Sequence, residues 1–142
     1  MPLKPTSETQ EASTPREIDY RKSDSYRNEY ANNTFLEHSA WDLKFNFGQL
    51  DQSIGPTAVI QHTGISMPWN QVKILVYFLQ IHLATYETLN GRIKIPRDVI
   101  TPLPMPDKET IKNYPNSMDI YKAMNKIYEE FMAANPEAKK LP

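Results

Sequence analysis

The sequence predicts an α+β domain: a small antiparallel sheet of three or more strands packed against one long helix, with a second helix after a proline-rich connector. Three observations carry this. Trp41, Leu43, Phe45 and Phe47 fall on every second position with Asp42, Lys44 and Asn46 between them. The stretch Ser66–Gly91 is apolar with a helical period, and Asn116–Pro136 repeats that period with a cleaner polar face.

Taken in order, residues 1–25 are rich in Pro, Ser, Thr, Glu and Lys. Such a segment buries too little surface to offset its ordering entropy and reads as a disordered tail. Three extended segments follow, 26–38, 41–49 and 57–66. The first break, His38-Ser39-Ala40, is short enough for a hairpin; the second, Asp51–Pro56, is polar with Gly and Pro and reads as a turn. Links this short pair strands antiparallel, since a parallel crossover needs about a dozen residues. The alternation in the second strand suits a sheet covered on one side. Asn32-Asn33 is unusual strand writing. It marks either a recognition pair or, the reading favoured here, a bulge or an amide bonded to the neighbouring strand.

The long helix is expected to be capped by Ser66, to carry Pro68 in its first turn and to end at Asn90, with Gly91 in the left-handed position beyond it. Roughly 22 residues give about 33 Å, enough to cross a small sheet. Val72, Leu75, Val76, Leu79, Leu83 and Tyr86 form one stripe; Ile74, Phe78, Ile81 and Leu89, with Thr85, form a second. Lys73, Gln80 and Glu87 are the only narrow polar line. The apolar arc spans about 220°, twice the roughly 100° of an ordinary surface helix. One stripe suits the aromatic face of the strands, and the other needs a further cover.

The connector, residues 96–116, holds Pro96, Pro102, Pro104, Pro106 and Pro115 and is expected to crawl extended along a surface, with one helical turn near Lys108–Asn113. The last segment, 117–142, opens on a helix capped by Asn116 or Ser117 and stopped by Pro136. Ile120, Tyr121, Met124, Ile127, Tyr128, Phe131 and Met132 share its apolar face, a candidate cover for the spare stripe of the long helix of its own chain or of a neighbour's.

Sixteen Lys and Arg stand against seventeen Asp and Glu, leaving a net charge of −1. That removes the general electrostatic reason for a nucleic-acid or anionic-membrane partner. The chain has no cysteine, which excludes disulfides, thiolate metal sites and cysteine nucleophiles. No export-type apolar run opens the sequence, and the most apolar stretch, Val72–Leu83, is shorter than the roughly 18 residues of a membrane span. A cytoplasmic protein is the expectation.

Candidate chemistry is thin. His38, His62 and His82 share no metal-ligand spacing. Ser39, His38 and Asp42 are too close in sequence for a catalytic triad, and no Gly-flanked nucleophile turn exists. Gly48, Gly55, Gly64 and Gly91 never cluster into a phosphate loop. Trp41, Phe45 and Phe47 lack the basic groove of a single-strand reader, with Lys44 the one cation interleaved among them. No catalytic, cofactor or metal residues are assigned, and the expectation is a non-enzyme.

Tyr30-Ala31-Asn32-Asn33, His38–Leu43, Phe47-Gly48, Ser66-Met67-Pro68 and Leu83–Glu87 follow the order and spacing of a family of small bacterial proteins, domain of unknown function 3467. The resemblance covers about residues 26–91 and implies no activity. A looser, architectural similarity is to the SecB-type export chaperones: an antiparallel sheet, a long helix opening on Met67-Pro68-Trp69, then a Gly, a Pro-rich stretch and a second helix. In those proteins long helices pack subunits together and apolar grooves hold unfolded chains. They are strongly acidic, and this chain is almost neutral.

The expected organisation is therefore a tail (1–25), a core of sheet and long helix (26–95), a connector (96–116) and a terminal helix (117–142). The expected function is protein binding or assembly through apolar surfaces, chaperone- or adaptor-like, with self-association into a dimer or higher oligomer. Ile74, Phe78, Ile81, His82, Tyr121, Met124, Tyr128 and Phe131 are the expected interface. The rival class is a small-ligand protein or enzyme with a pocket around Trp41, Phe45 and His82.

Overall fold

The structure is a computed structural model and describes residues 15–51, 53 and 58–139. The described residues fall into two units, one up to Pro68 and one from Trp69. The expected tail lies outside the described residues as far as position 14; positions 15–32 hold no strand or helix beyond a turn at Asp24-Ser25. The expected Asp51–Pro56 turn also lies largely outside them.

The first unit is an antiparallel sheet. Strands β1 (Asn33–His38), β2 (Asp42–Asp51) and β3 (Ala58–Pro68) stand in the order β1-β2-β3. The β1–β2 turn is organised by Ser39. Its N–H donates to the Asp42 carbonyl at 2.9 Å, its hydroxyl donates to Asp42 Oδ1 at 2.7 Å and accepts from the Trp41 and Asp42 amides at 3.1 Å each. A hydroxyl that substitutes for backbone partners in this way fixes a short turn without glycine.

The register gives the sheet two unlike faces. Leu36 and Ile65 both pair with Phe45, Thr34 and Thr63 both pair with Phe47, and Met67 pairs with Leu43. Phe45 and Phe47 stack along the strand with ring centroids 6.0 Å apart. The opposite face carries Glu37, Lys44 and Asn46, as the alternation predicts.

The first strand starts at Asn33 rather than Tyr26, for a reason visible in its hydrogen bonds. Asn32 still donates its amide to the Gly48 carbonyl at 3.1 Å, but the Leu50 amide goes to the Asn32 side-chain Oδ1 at 2.8 Å. Gln49 Nε2 and His62 Nε2 then take the Tyr30 carbonyl at 3.3 and 2.9 Å. Side chains replace the ladder, so the backbone before Asn33 leaves the sheet.

The long helix α1 (Trp69–Asn90) also begins later than its sequence suggests. Ser66, Met67 and Pro68 pair with Lys44, Leu43 and Asp42, so β3 runs directly into the helix. Ser66 is committed to the ladder and is not the cap. Pro68 is the last residue of an edge strand, where its missing N–H breaks no ladder bond. The far end is as expected: Gly91 has φ +87° and its amide reaches the Glu87 carbonyl at 2.9 Å.

In the second unit, α1 is followed by the extended connector, α2 (Lys108–Asn113), α3 (Ser117–Ala134) and a 3-10 turn (Pro136–Ala138). Asp107 caps α2 by accepting the Thr110 amide at 2.7 Å. Neither Asn116 nor Ser117 caps α3 with its side chain, and the Ser117 Oγ is buried without a partner. The buried apolar residues of this unit are Met132 and Ala138. Around them the connector is tied to the end of α3. Arg92 donates to the Ala134 carbonyl and pairs with Glu137 Oε2 at 2.9 Å, the Ile95 amide reaches Glu137 Oε1 at 3.4 Å, and the Asp98 amide reaches the Ala138 carbonyl at 3.3 Å.

Candidate protein-binding surfaces

No residue of α1 is buried. Phe78 is 51 % exposed and Ile81 43 %; on the other stripe, Leu79 and Leu83 are 51 % and 52 % exposed. Large apolar side chains on both stripes are thus about half exposed, with Val72 and Leu75 more sheltered. The sequence explains why α1 still forms: it holds no Gly or Pro, four leucines and an alanine favour the helix, Thr85 and Thr88 return their hydroxyls to the carbonyls of Ile81 and Ala84, and Gly91 terminates it. His82 lies on this helix between the two stripes.

The second surface is the apolar face of α3. Its expected use was to cover α1. Within this chain the connector runs beside it, while α3 packs on α2 and the 3-10 turn. Ile100, Thr101 and Leu103 share a cavity of about 330 Å³ with Met124, Ile127, Tyr128 and Phe131. Farther along, Leu103, Pro104 and Pro106 face Ile120, Tyr121 and Met124 across a mainly apolar groove of about 600 Å³ whose rim also holds Thr110, Asn113, Asn116 and Ser117. Prolines suit this role, because a chain already restricted in φ loses little further entropy on lying down. Tyr121, Met124, Tyr128 and Phe131 thus stand together on one face, as their spacing implied, while Ile74, Phe78, Ile81 and His82 stand on another helix.

The sheet carries a third apolar patch. Leu36 and Ile65, on the face of Phe45 and Phe47, are 50 % and 47 % exposed. Beside them, a cavity of about 770 Å³ is lined by Arg27, Glu29, Thr34, Phe47, His62 and Thr63. His62 occupies the irregular step of β3 opposite Phe47 and Gly48. Its Nε2 donates to the Tyr30 carbonyl and its Nδ1 lies 2.8 Å from the Thr63 hydroxyl. Both nitrogens are spent on the chain itself, which makes this histidine a clamp on the bulge. Sequence reading missed that role. The available signal was Gly48, a glycine inside a strand, which marks a bulge or a close backbone approach.

The charged groups are similarly structural. Glu37 is held below its ordinary carboxylate range first by the Asn46 amide, which donates to its Oε2 at 2.8 Å, and then by Lys44 opposite it in register. Glu137 is lowered by backbone amides, its own first and then that of Ile95, and by Arg92 and Lys94. Among the described residues no group of three His, Cys, Asp or Glu side chains is placed to hold a metal ion, and no helix is long and apolar enough to cross a membrane. Ser39 and Asp42, adjacent in the imagined triad, meet only as the turn described above.

A family model described as "Protein of unknown function (DUF3467)" matches residues 4–95. No curated protein and no solved structure matches the chain significantly, so the architectural likeness to export chaperones has no counterpart there.

Proposed function

The chain belongs to the DUF3467 family of proteins of unknown function, and we propose that this member is a non-enzymatic protein-binding or assembly protein that acts through its apolar helix faces. The observation that carries the reading is α1, a 22-residue helix without one buried residue. At about 25 cal/mol per Å², a few hundred Å² of apolar surface left in water forgoes several kcal/mol. That is comparable to the net stability of a small domain. A surface of this kind persists because another chain covers it. An adaptor or chaperone-like role, with mobile apolar clients, is the finer form of the same reading.

Amide hydrogen exchange on the intact chain tests it. The α1 amides are expected to exchange quickly in dilute purified protein and to become protected when a partner is present or the concentration is raised. Strong protection in a dilute, verified monomer would mean that the helix is covered within its own chain, and the proposal would fail. Suppression of aggregation of a chemically unfolded model protein, at near-stoichiometric ratios, separates the chaperone form from simple assembly.

A further inference from the structure

Resting on that assembly reading, we propose that α1 pairs antiparallel with α1 of a second copy, with the two-fold axis beside Gln80. The spacing of the first stripe supports this. Val72, Val76, Leu79, Leu83 and Tyr86 alternate steps of four and three residues, the a/d seam of a helix pair. On that frame Lys73, Gln80 and Glu87 all occupy the e position, seven residues apart.

The charges then choose the orientation. In an antiparallel pair the e positions of the two helices flank the same side of the seam. Centring the pair on Gln80 sets Lys73 against Glu87 of the second copy, Glu87 against its Lys73, and Gln80 against Gln80. The central layers become Leu79 against Leu83, outer layers Val76 against Tyr86. On the other flank Leu75 meets Leu89 and His82 meets its own counterpart. A parallel pair would set each e position beside the g position five residues earlier on the partner, placing Lys73 at Pro68, Gln80 at Leu75 and Glu87 at His82, so that Lys73 and Glu87 never meet.

The groups concerned are available. Lys73 has no ion pair among the described residues. Glu87 accepts the Ile93 amide with Oε1 at 3.0 Å, which steadies the carboxylate on the helix flank and leaves Oε2 without a partner among the described residues. The second stripe also shows four-three spacing, through Ile74, Phe78, Ile81 and Thr85, but its flanks are Leu75, His82 and Leu89 on one side and Tyr77 and Ala84 on the other. With no charge there, it specifies neither partner nor direction.

Area is sufficient. Seven seam and flank side chains, each losing on the order of 70 Å² of exposed surface, bury about 1,000 Å² over the pair, the lower bound of a specific interface. The self-complementary order of charges makes the interface isologous, so it closes at two copies rather than running on into fibres.

The test uses the full chain. Light scattering over a dilution series should show a dimer. Lys73→Glu and Glu87→Lys, each of which converts two attractive pairs to repulsive ones, should each weaken it about tenfold. The double variant should return to within about threefold of the native chain. Because the chain has no cysteine, introduced thiols give a second readout that does not rely on affinity. Gln80→Cys should form a disulfide-linked dimer on oxidation. Lys73→Cys alone should not, whereas a mixture of Lys73→Cys and Glu87→Cys chains should cross-link to each other.

A dimer in which Lys73→Cys links to itself, or which ignores the charge swaps, overturns the antiparallel pairing and leaves the assembly reading standing. A monomer whose α1 amides become protected only when other proteins are added does the same. A monomer with α1 unprotected under every condition overturns both.

Discussion

Gly48→Ala is the sharpest test of the sheet. A Cβ built on Gly48 lies 2.5 Å from the Ile60 carbonyl oxygen and 2.9 Å from Gln61 Cα, both backbone atoms. Real Cβ contacts essentially never fall under 3.0 Å, so the two strands must separate by about 0.5 Å at this point. A flexible side chain could swing aside; a paired backbone cannot move without its ladder. The strain falls at the irregular step of the β2–β3 register, next to the rungs Gln49–Ile60 and Leu50–Val59. Overpacking of this kind costs about 1–3 kcal/mol. Weakening one or two neighbouring backbone hydrogen bonds adds about 1 kcal/mol each. The variant is therefore expected to lose about 2–4 kcal/mol, read as a lowered urea midpoint by circular dichroism with an unchanged slope. The same reasoning predicts no steric penalty at Gly64, whose nearest atoms are the ends of the Lys44 and Asn46 side chains at 3.5 and 3.7 Å. A Gly48→Ala chain within about 0.5 kcal/mol of the native one would refute the register.

Three further expectations follow from particular groups. Asn46, 8 % exposed, donates to Glu37 Oε2 and to the Phe35 carbonyl; Asn46→Ala should cost about 1–3 kcal/mol in denaturant titration and let the Glu37 carboxyl rise toward its ordinary value, visible by carboxyl-carbon NMR titration. Ser117→Ala deletes a buried hydroxyl that has no partner and should be neutral or stabilising by about 1 kcal/mol in thermal melts; a clear loss would show that the hydroxyl is bonded. Glu37, Asp51, Asp107 and Glu137 all have folded-state values lowered from ordinary ones of 4.5 for Glu and 3.8 for Asp. A lowered value contributes stability that is complete above the unfolded-state value and is lost as pH falls through the folded one. The urea midpoint should accordingly be flat from neutral pH down to about pH 5 and decline below about pH 4; a decline that starts near pH 6 would point to a different group.

The local elements were legible in the residues because each has a short-range cause. Alternation at Trp41–Phe47 set the two faces of β2; Gly91 set the end of α1; the Lys108–Asn113 turn follows from its Asp107 cap, and the Ser117–Ala134 helix from the spacing of its apolar face and the stop at Pro136. What the residues alone did not disclose was decided by pairing at a distance. Ser66 reads as a helix cap until Lys44 claims it for the ladder. Tyr26–Asn32 reads as strand until Asn32, Gln49 and His62 bond the backbone with side chains. The apolar face of α3 reads as a cover for α1 until the prolines of the connector lie beside it. In each case the local signal admits two partners, and only the fold in space chooses between them. The excess apolar surface of α1 is the exception: composition and period alone require a cover for it, and the tertiary structure adds that no residue of the helix finds one deep enough to bury it.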